Sequence, residues 1–310
     1  MDNVCHTLVG AALAEAGLKR KTALGTATRM IAANFPDIDV IAVPLGHSLG
    51  FRRGITHGLP ALALLPIVLT VIMVAWHRWR RPETTPPDPR WLLILSAIGI
   101  LTHPFLDWMN TYGMRWLMPI SGQWSYADTL FIVDPWIWLA LGAGIWIARR
   151  RRQPLPARSA LAFVAMYIAA MALLTSVSRR RVRAALTAQG VTADTVVVEP
   201  VPANPLSRRV IYHWQGAYHL ATYGVVDAKL SAPWFSIPLN DGHPAVPTAN
   251  QTPQGSEYHS WARLPYYVIE ETKDTSWVTI ADARYTLDGR SSWAVTRIPI
   301  LNRTVSSEKH

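Results

Sequence analysis

Three stretches of this chain run for most of a bilayer's thickness without a single Asp, Glu, Lys or Arg: Leu59–Trp76, Trp91–Leu106 and Ser159–Ser178. A fourth, Leu130–Ala148, holds one acid, Asp134. Each approaches the roughly 20 residues that a helix needs to span about 30 Å of hydrocarbon. Helices of that length in a soluble core keep a polar stripe towards water. These runs lack one, so a buried soluble bundle is the poorer reading. Composition agrees, with 50% of 310 residues hydrophobic and 16% charged, against about 25% charged in an ordinary soluble domain.

Two shorter apolar stretches, Val4–Leu18 and Thr22–Phe35, flank Lys19-Arg20-Lys21. At about 1.5 Å per residue each reaches roughly 20 Å, short for a crossing but enough for helices packed among others or partly re-entrant. Pro36 opens a loop through Asp37-Ile38-Asp39 to Gly54. Beyond Ser178, residues 179–190 read as a polar helical connector. Segments of alternating character then follow, bounded by Pro, Gly, Asn and Asp: Val196–Val201, Val210–Trp214, His219–Val226, Tyr266–Glu270, Trp277–Ile280 and Ser292–Ile298. These read as strands. The expected fold is therefore an α-helical membrane domain over residues 1–178, with four clear transmembrane helices and two short N-terminal membrane-embedded ones. A mostly-β soluble C-terminal domain over residues 179–310 follows it.

Basic residues near short loops orient such a chain. Six alternating segments put Lys19, Arg20, Lys21, Arg78, Arg80, Arg81, Arg90, Arg149–Arg152 and Arg158 on one side, twelve in all, and Arg52, Arg53 and Arg115 on the other. The expectation is a multi-pass inner membrane protein with the twelve in the cytoplasm and the C-terminal domain outside. Arg179, Arg180, Arg181 and Arg183 oppose that bias, which a long translocated domain overrides. The net charge of +10 suits an anionic membrane surface. Because the arginines gather at the ends of apolar runs, membrane lipid is the expected partner and nucleic acid is not. Cys5 is the only cysteine, which excludes an intrachain disulfide. Met1-Asp2-Asn3 lacks the basic region of a cleavable signal peptide. The oligomeric state is left open.

The same topology brings His6, Asp37, Asp39, His57, His103, Asp107 and Asp134 near one face, the outer one. Imidazole nitrogen with carboxylate oxygen suits a divalent transition metal: zinc first, manganese or iron next. Ionisable groups beside hydrocarbon are costly unless paired or ligated. His103 and Asp107 stand four apart on one helix face, with Pro104 disturbing that turn. Asp37 and Asp39 share a face only in extended chain. Blander readings stand beside these. Asp37-Ile38-Asp39 can be a loop and helix cap, His57 an interfacial or capping residue, and His103 with Asp107 a neutralising pair. Asp134 before Pro135 reads as an N-cap. His47, His77, His213, His219, His243 and His259 read as ordinary loop or surface residues, and Trp76, Trp79, Trp91, Trp108, Trp116 and Trp124 as interfacial anchors.

Four ordered motifs, HTLVGAALAEAG (His6–Gly17), NFPDIDV (Asn34–Val40), RRGITHG (Arg52–Gly58) and THPFLDWMNTYG (Thr102–Gly113), resemble those of the YdjM-like membrane-bound metal-dependent hydrolases. The resemblance covers about residues 1–180. It implies a bacterial inner-membrane hydrolase with metal ligands at His6, Asp37 or Asp39, His57, His103 and Asp107. A distant likeness of that family to zinc-dependent phospholipase C implies phosphoester chemistry. Where the family often reads His-Arg-Gly-x-Thr-His, Arg52 replaces the first histidine, which implies one ligand or one metal ion fewer.

The leading expectation is a metallohydrolase acting on a phosphoester or lipid-linked ester at the outer interface. Asp37 would be a ligand, Asp39 the base, and Arg52 or Arg53 the holder of an anionic group, unless those arginines are solvated loop charges. The alternatives are a non-enzymatic scaffold with a structural metal and a partner-binding β-domain, and, ranked last, a transporter.

Overall fold

The computed structural model describes residues 1–45, 52–81, 83–290 and 293–301. Its chain divides into two compact units. The first gathers Met1–Ile41, Arg53–Arg180 and Val198–Arg208; the second takes in the described residues of Ala42–Arg52, Arg181–Val197 and Arg209–His310.

The first unit is helical. Helix α1 (Asn3–Glu15) starts where the Asp2 carboxylate accepts the backbone N–H groups of Val4 and Cys5, supplying two partners that a helix start otherwise lacks. Helix α2 (Gly25–Ala32) is eight residues long. These are the two short helices expected before the first span, roughly 20 Å and 12 Å in length. Residues Phe35–Leu45 form successive 3-10 turns rather than the open loop expected after Pro36. Helices α3 (Leu59–Arg80), α4 (Pro89–Trp108), α5 (Pro135–Arg151) and α6 (Leu155–Ala188) follow.

Three of these, α3, α4 and α6, are long and apolar enough to cross a membrane. Only 33% of the apolar window of α3 and 22% of that of α6 is buried within the protein. Leu64, Val71, Met166 and Leu173 stand outward, a surface that water would disfavour and lipid would cover. The fourth expected span is shorter than its apolar run. Asp134 caps α5 by accepting from Trp136 N and Ile137 N, so the helix opens only at Pro135, and it ends in Arg149, Arg150 and Arg151. Seventeen residues remain. The polar stretch read as a connector is the continuous last part of α6, which runs through to Ala188.

Close helix contacts set the positions of the site residues. A Cβ at Gly10 of α1 would lie 2.7 Å from the Arg29 carbonyl oxygen of α2, and one at Gly99 of α4 would lie 2.5 Å from the Ala32 Cβ. Small residues let membrane helices approach this closely. Ala32, Leu62, Leu69, Met73, Leu92 and Ile100 fill the space between α2, α3 and α4. Along α3, His77 is buried and bonds the Thr84 hydroxyl, which corrects its reading as an ordinary loop or surface residue.

The strands are β1 (Val196–Val201), β2 (Asn204–Trp214), β3 (Ala217–Gly224), β4 (Phe235–Pro238), β5 (Pro265–Glu271), β6 (Thr275–Asp282) and β7 (Val295–Leu301). They build a four-stranded sheet in the order β1-β2-β3-β4 and a three-stranded sheet in the order β5-β6-β7. Both are meanders; β3 with β4, β5 with β6, and β6 with β7 pair antiparallel. Val197, Ile211, Tyr218, Leu220 and Ile237 pack against Leu264, Tyr266, Ala281 and Ala283 to form the core of the second unit. Two short helices, α7 (Ala245–Gln251) and α8 (Pro253–Trp261), and the strand β4 were not expected. Their four to nine residues show no sustained periodicity, and α8 owes its start to the Thr252 hydroxyl capping Gly255 N. Ser292, where the last strand was expected to begin, and His47 lie outside the described residues.

Candidate metal centre

Four side chains converge in the first unit, from three separate segments. Asp37 comes from the 3-10 stretch, His57 from the turn that precedes α3, and His103 and Asp107 from successive turns of α4. One ligand atom of each lies within 4.8 Å of the others, and all four residues are buried. The separations are His57 Nε2 to His103 Nε2 3.2 Å, His103 Nε2 to Asp107 Oδ2 3.4 Å, His57 Nε2 to Asp37 Oδ1 3.6 Å, His103 Nε2 to Asp37 Oδ1 3.6 Å and His57 Nε2 to Asp107 Oδ2 3.7 Å. Atoms bound tetrahedrally at about 2.0–2.1 Å from one ion stand roughly 3.3–3.4 Å apart, the edge of a zinc-sized tetrahedron. Five edges of the cluster fall close to that length, so the donor set and its spacing both fit a divalent ion. Pro104 lies inside α4 without breaking the shared face of His103 and Asp107.

Each imidazole is held from behind. The Nδ1–H of His103 donates to the Ala33 carbonyl at 2.7 Å, one of the carbonyls that the end of α2 leaves without a helical partner. His57 Nδ1 meets the Thr56 hydroxyl at 2.9 Å and Asp39 Oδ2 at 3.5 Å. With the proton of each neutral ring on Nδ1, both Nε2 atoms would turn lone pairs towards the cluster. A partner that fixes the tautomer and aim of a ligating histidine is the usual support of a metal site.

Asp39 Oδ2 further accepts from the Arg53 backbone N–H at 2.8 Å and from the Thr56 hydroxyl at 3.4 Å. Of the two acids in Asp37-Ile38-Asp39, the first points into the cluster and the second supports His57 from its other ring nitrogen. His6 lies one layer out. Its ring stacks on His103 at 3.8 Å, and its Nε2 meets Asp107 Oδ1 at 3.2 Å. Its Nδ1 is buried and, among the described residues, has no hydrogen-bond partner. The α-amino group of Met1 also pairs with Asp107 Oδ1.

Arg53, buried and at φ 53°, is engaged on every side. Its Nε lies 2.9 Å from Asp107 Oδ2. Its Nη1 donates to the Gly113 carbonyl at 2.9 Å and to Asn110 Oδ1 at 3.2 Å, and its guanidinium lies over the Tyr112 ring. Arg52, the preceding residue in the chain, is half-buried. Asp134 takes no part in the cluster; it caps α5 and accepts from the Tyr167 hydroxyl at 3.1 Å. The histidines set aside earlier have other partners: His213 lies beside Asp194, His219 beside Ser236, and His243 beside Glu271. Thr56 and Asn110 were not expected at the site, although they lie inside the RRGITHG and THPFLDWMNTYG motifs, each a short polar side chain one to three positions from a candidate ligand.

An open groove of about 480 Å³ reaches Asp37, with Asn3, Thr7 and Asn34 on its polar side and Ile31 and Ile38 among its apolar walls. Asn34 donates to the Thr7 hydroxyl at 2.9 Å.

Spans long and apolar enough to cross a membrane, together with a buried His/Asp cluster that could hold a metal ion, define the class: a membrane protein with a candidate metal centre. The chain belongs to the YdjM inner membrane protein family, whose model matches residues 1–179. It is also 26% identical over 117 residues to Uncharacterized protein YfhP of Bacillus subtilis (strain 168). That match covers 36% of this chain and 34% of the relative, so it spans about a third of either protein. No solved structure matches.

Proposed function

We propose that this chain is a membrane-bound, metal-dependent hydrolase acting on a phosphoester or lipid-linked ester, with Asp37, His57, His103 and Asp107 holding one divalent ion, zinc by preference. The observation that carries the reading is the set of five ligand-atom separations between 3.2 and 3.7 Å. Such an ion, when bound, lowers the pKa of a bound water and polarises a phosphoryl or carbonyl oxygen. The protein's own groups would do the rest. His103 and His57 are aimed by Ala33 and by Thr56 with Asp39. Asp107 is held in register by Arg53 and His6. Asp37 turns Oδ1 to the cluster and also borders the groove, which supports its other oxygen, Oδ2, as the group that meets substrate and takes a proton from attacking water.

Asp39, expected as the base, fits an orienting role better, because it acts through the Nδ1 side of His57. The contacts of Arg53 favour fixing Asp107 and the 110–113 turn over binding an anion. The groove supports an amphiphilic substrate. Ile31 and Ile38 would contact acyl chain while Asn3, Thr7 and Asn34 bond a polar head.

A second reading draws on the same cluster. Four protein ligands closing a tetrahedron characterise structural metal sites, whereas catalytic ones keep a position open. On that reading the ion ties α4 to the segments before α3, and the chain is a scaffold with a partner-binding β-domain. One experiment separates the two. Purified protein is assayed on a panel of phospholipids, phosphodiesters and acyl esters, with and without chelator, beside Asp37→Asn and Asp39→Asn. Hydrolysis lost on chelation and in Asp37→Asn, and reduced in Asp39→Asn, supports the enzyme. A tightly bound ion with no turnover on any substrate supports the scaffold.

A further inference from the structure

A second cavity in the first unit, of about 150 Å³, is framed by the end of α1, the turn after it, and the end of α5 with the loop that follows. Glu15, Lys19, Arg20, Arg149 and Arg152 line it, so four cations face one acid. Glu15 is buried and already committed: it pairs with Lys19, and the Arg149 Nε donates to it at 2.9 Å. Arg158, at the start of α6, donates its Nε to the Ala16 carbonyl at 2.8 Å. The single carboxylate thus fixes two of the cations as walls, and Arg20 and Arg152 add two positive charges that it does not balance. Arg152 is held at φ 54° at the C-cap of α5, directing the chain into the Gln153–Pro154 loop that borders the cavity. A cavity of this size with a net excess of cations fits one phosphate group.

The surroundings point to where that phosphate comes from. Trp146, three residues before Arg149 on α5, and Leu155, next to Pro154 at the start of α6, are 61% and 65% exposed, and the Arg150 guanidinium lies over the Trp146 ring. Exposed Trp beside Arg at the end of an apolar helix is the pattern of a membrane–water boundary. We propose that this cavity binds the anionic phosphate of a membrane phospholipid headgroup, with Lys19, Arg20, Arg149 and Arg152 around the phosphate and the acyl chains along the apolar surface of Trp146 and Leu155. The site is separate from the His/Asp cluster and does not depend on the hydrolase reading. It holds for whichever leaflet this end of the helices faces.

Native mass spectrometry of delipidated full-length protein tests it, titrated with phosphatidylglycerol, phosphatidylcholine and inorganic phosphate in parallel. Arg20→Gln with Arg152→Gln leaves the Glu15 pairs intact, and thermal unfolding by circular dichroism confirms that the double variant folds. Arg78→Gln with Arg80→Gln removes the same charge from the last turn of α3, outside the cavity. The expected result is preferential retention of phosphatidylglycerol by wild type, weakened roughly twentyfold or more in the cavity variant at about fivefold per basic residue and little changed in the α3 variant. Equal weakening in both variants would show a diffuse positive surface and overturn the site. No preference over phosphatidylcholine would overturn it as well. Saturation by inorganic phosphate that phosphatidylglycerol cannot displace would overturn the lipid assignment.

Discussion

The Nε2 atoms of His57 and His103 face each other at 3.2 Å, and each ring is hydrogen-bonded through Nδ1, to the Thr56 hydroxyl and to the Ala33 carbonyl. Two neutral rings with both lone pairs at that distance would repel. With Asp37 Oδ1 and Asp107 Oδ2 added, the centre gathers donors suited to a divalent cation, beside the Arg53 and Met1 charges that already pair with Asp107.

The support behind His57 gives the first prediction. Asp39→Asn and Thr56→Val keep all four converging atoms but disturb the proton on Nδ1. Metal affinity, read by competition with a chromophoric chelator, should fall about 10- to 100-fold in each. A loss no larger than that of His213→Ala would show that the hydrogen bonds to Nδ1 do not tune the centre.

The second unit has its own buried pair. Asp282 and Arg284 are both fully buried, joined at 2.8 Å, and Asp282 also accepts the Arg263 N–H at 2.7 Å. Burial alone would raise the Asp282 carboxyl; the Arg284 charge and hydrogen bonds overcome it and hold the group below the usual carboxylate range. A depressed native value means that the stabilisation is complete above the ordinary value of the unfolded chain, and is lost as pH falls through the native one. The protection of β6 amides against hydrogen exchange, relative to their intrinsic rates, should therefore fall in acid below the ordinary Asp range. Asp282→Asn should remove that dependence and cost about 3–5 kcal/mol by stranding Arg284. An unchanged acid profile in the variant would assign the dependence to another group.

The basic residues predict orientation. Thr85 and Pro154 should be cytoplasmic, and Ser125 with the C-terminal domain outside. In a Cys5→Ala background, an impermeant thiol reagent on intact spheroplasts should label cysteine at Ser125, and should label Thr85 or Pro154 only after permeabilisation. The reverse pattern would invert the topology.

The helical half was legible because a charge-free run of bilayer length admits few alternatives, and because Asp134-Pro135 reads directly as a helix start. Strands β1, β5 and β6 were visible in alternation, whereas α7, α8 and β4 are too short to carry a period. The cluster was legible as far as residue type goes, since His57, His103 and Asp107 are ionisable groups set among apolar neighbours. The division of labour between Asp37 and Asp39 was not. Two residues apart, they part only because 3-10 turns over Phe35–Leu45 send them to opposite ring nitrogens of His57, a geometry that long-range packing decides. The pairing of Arg53 with Asp107, 54 positions away, leaves no local trace.

The central claim is that Asp37, His57, His103 and Asp107 share one ion, and metal analysis of detergent-purified protein tests it most directly. Wild type should carry on the order of one divalent ion per chain. His57→Ala and Asp107→Asn should retain less than about a tenth of it, while His77→Ala and His213→Ala keep the wild-type content. Full metal content in the His57 and Asp107 variants, or none in wild type purified without chelator in zinc-supplemented medium, would contradict the account.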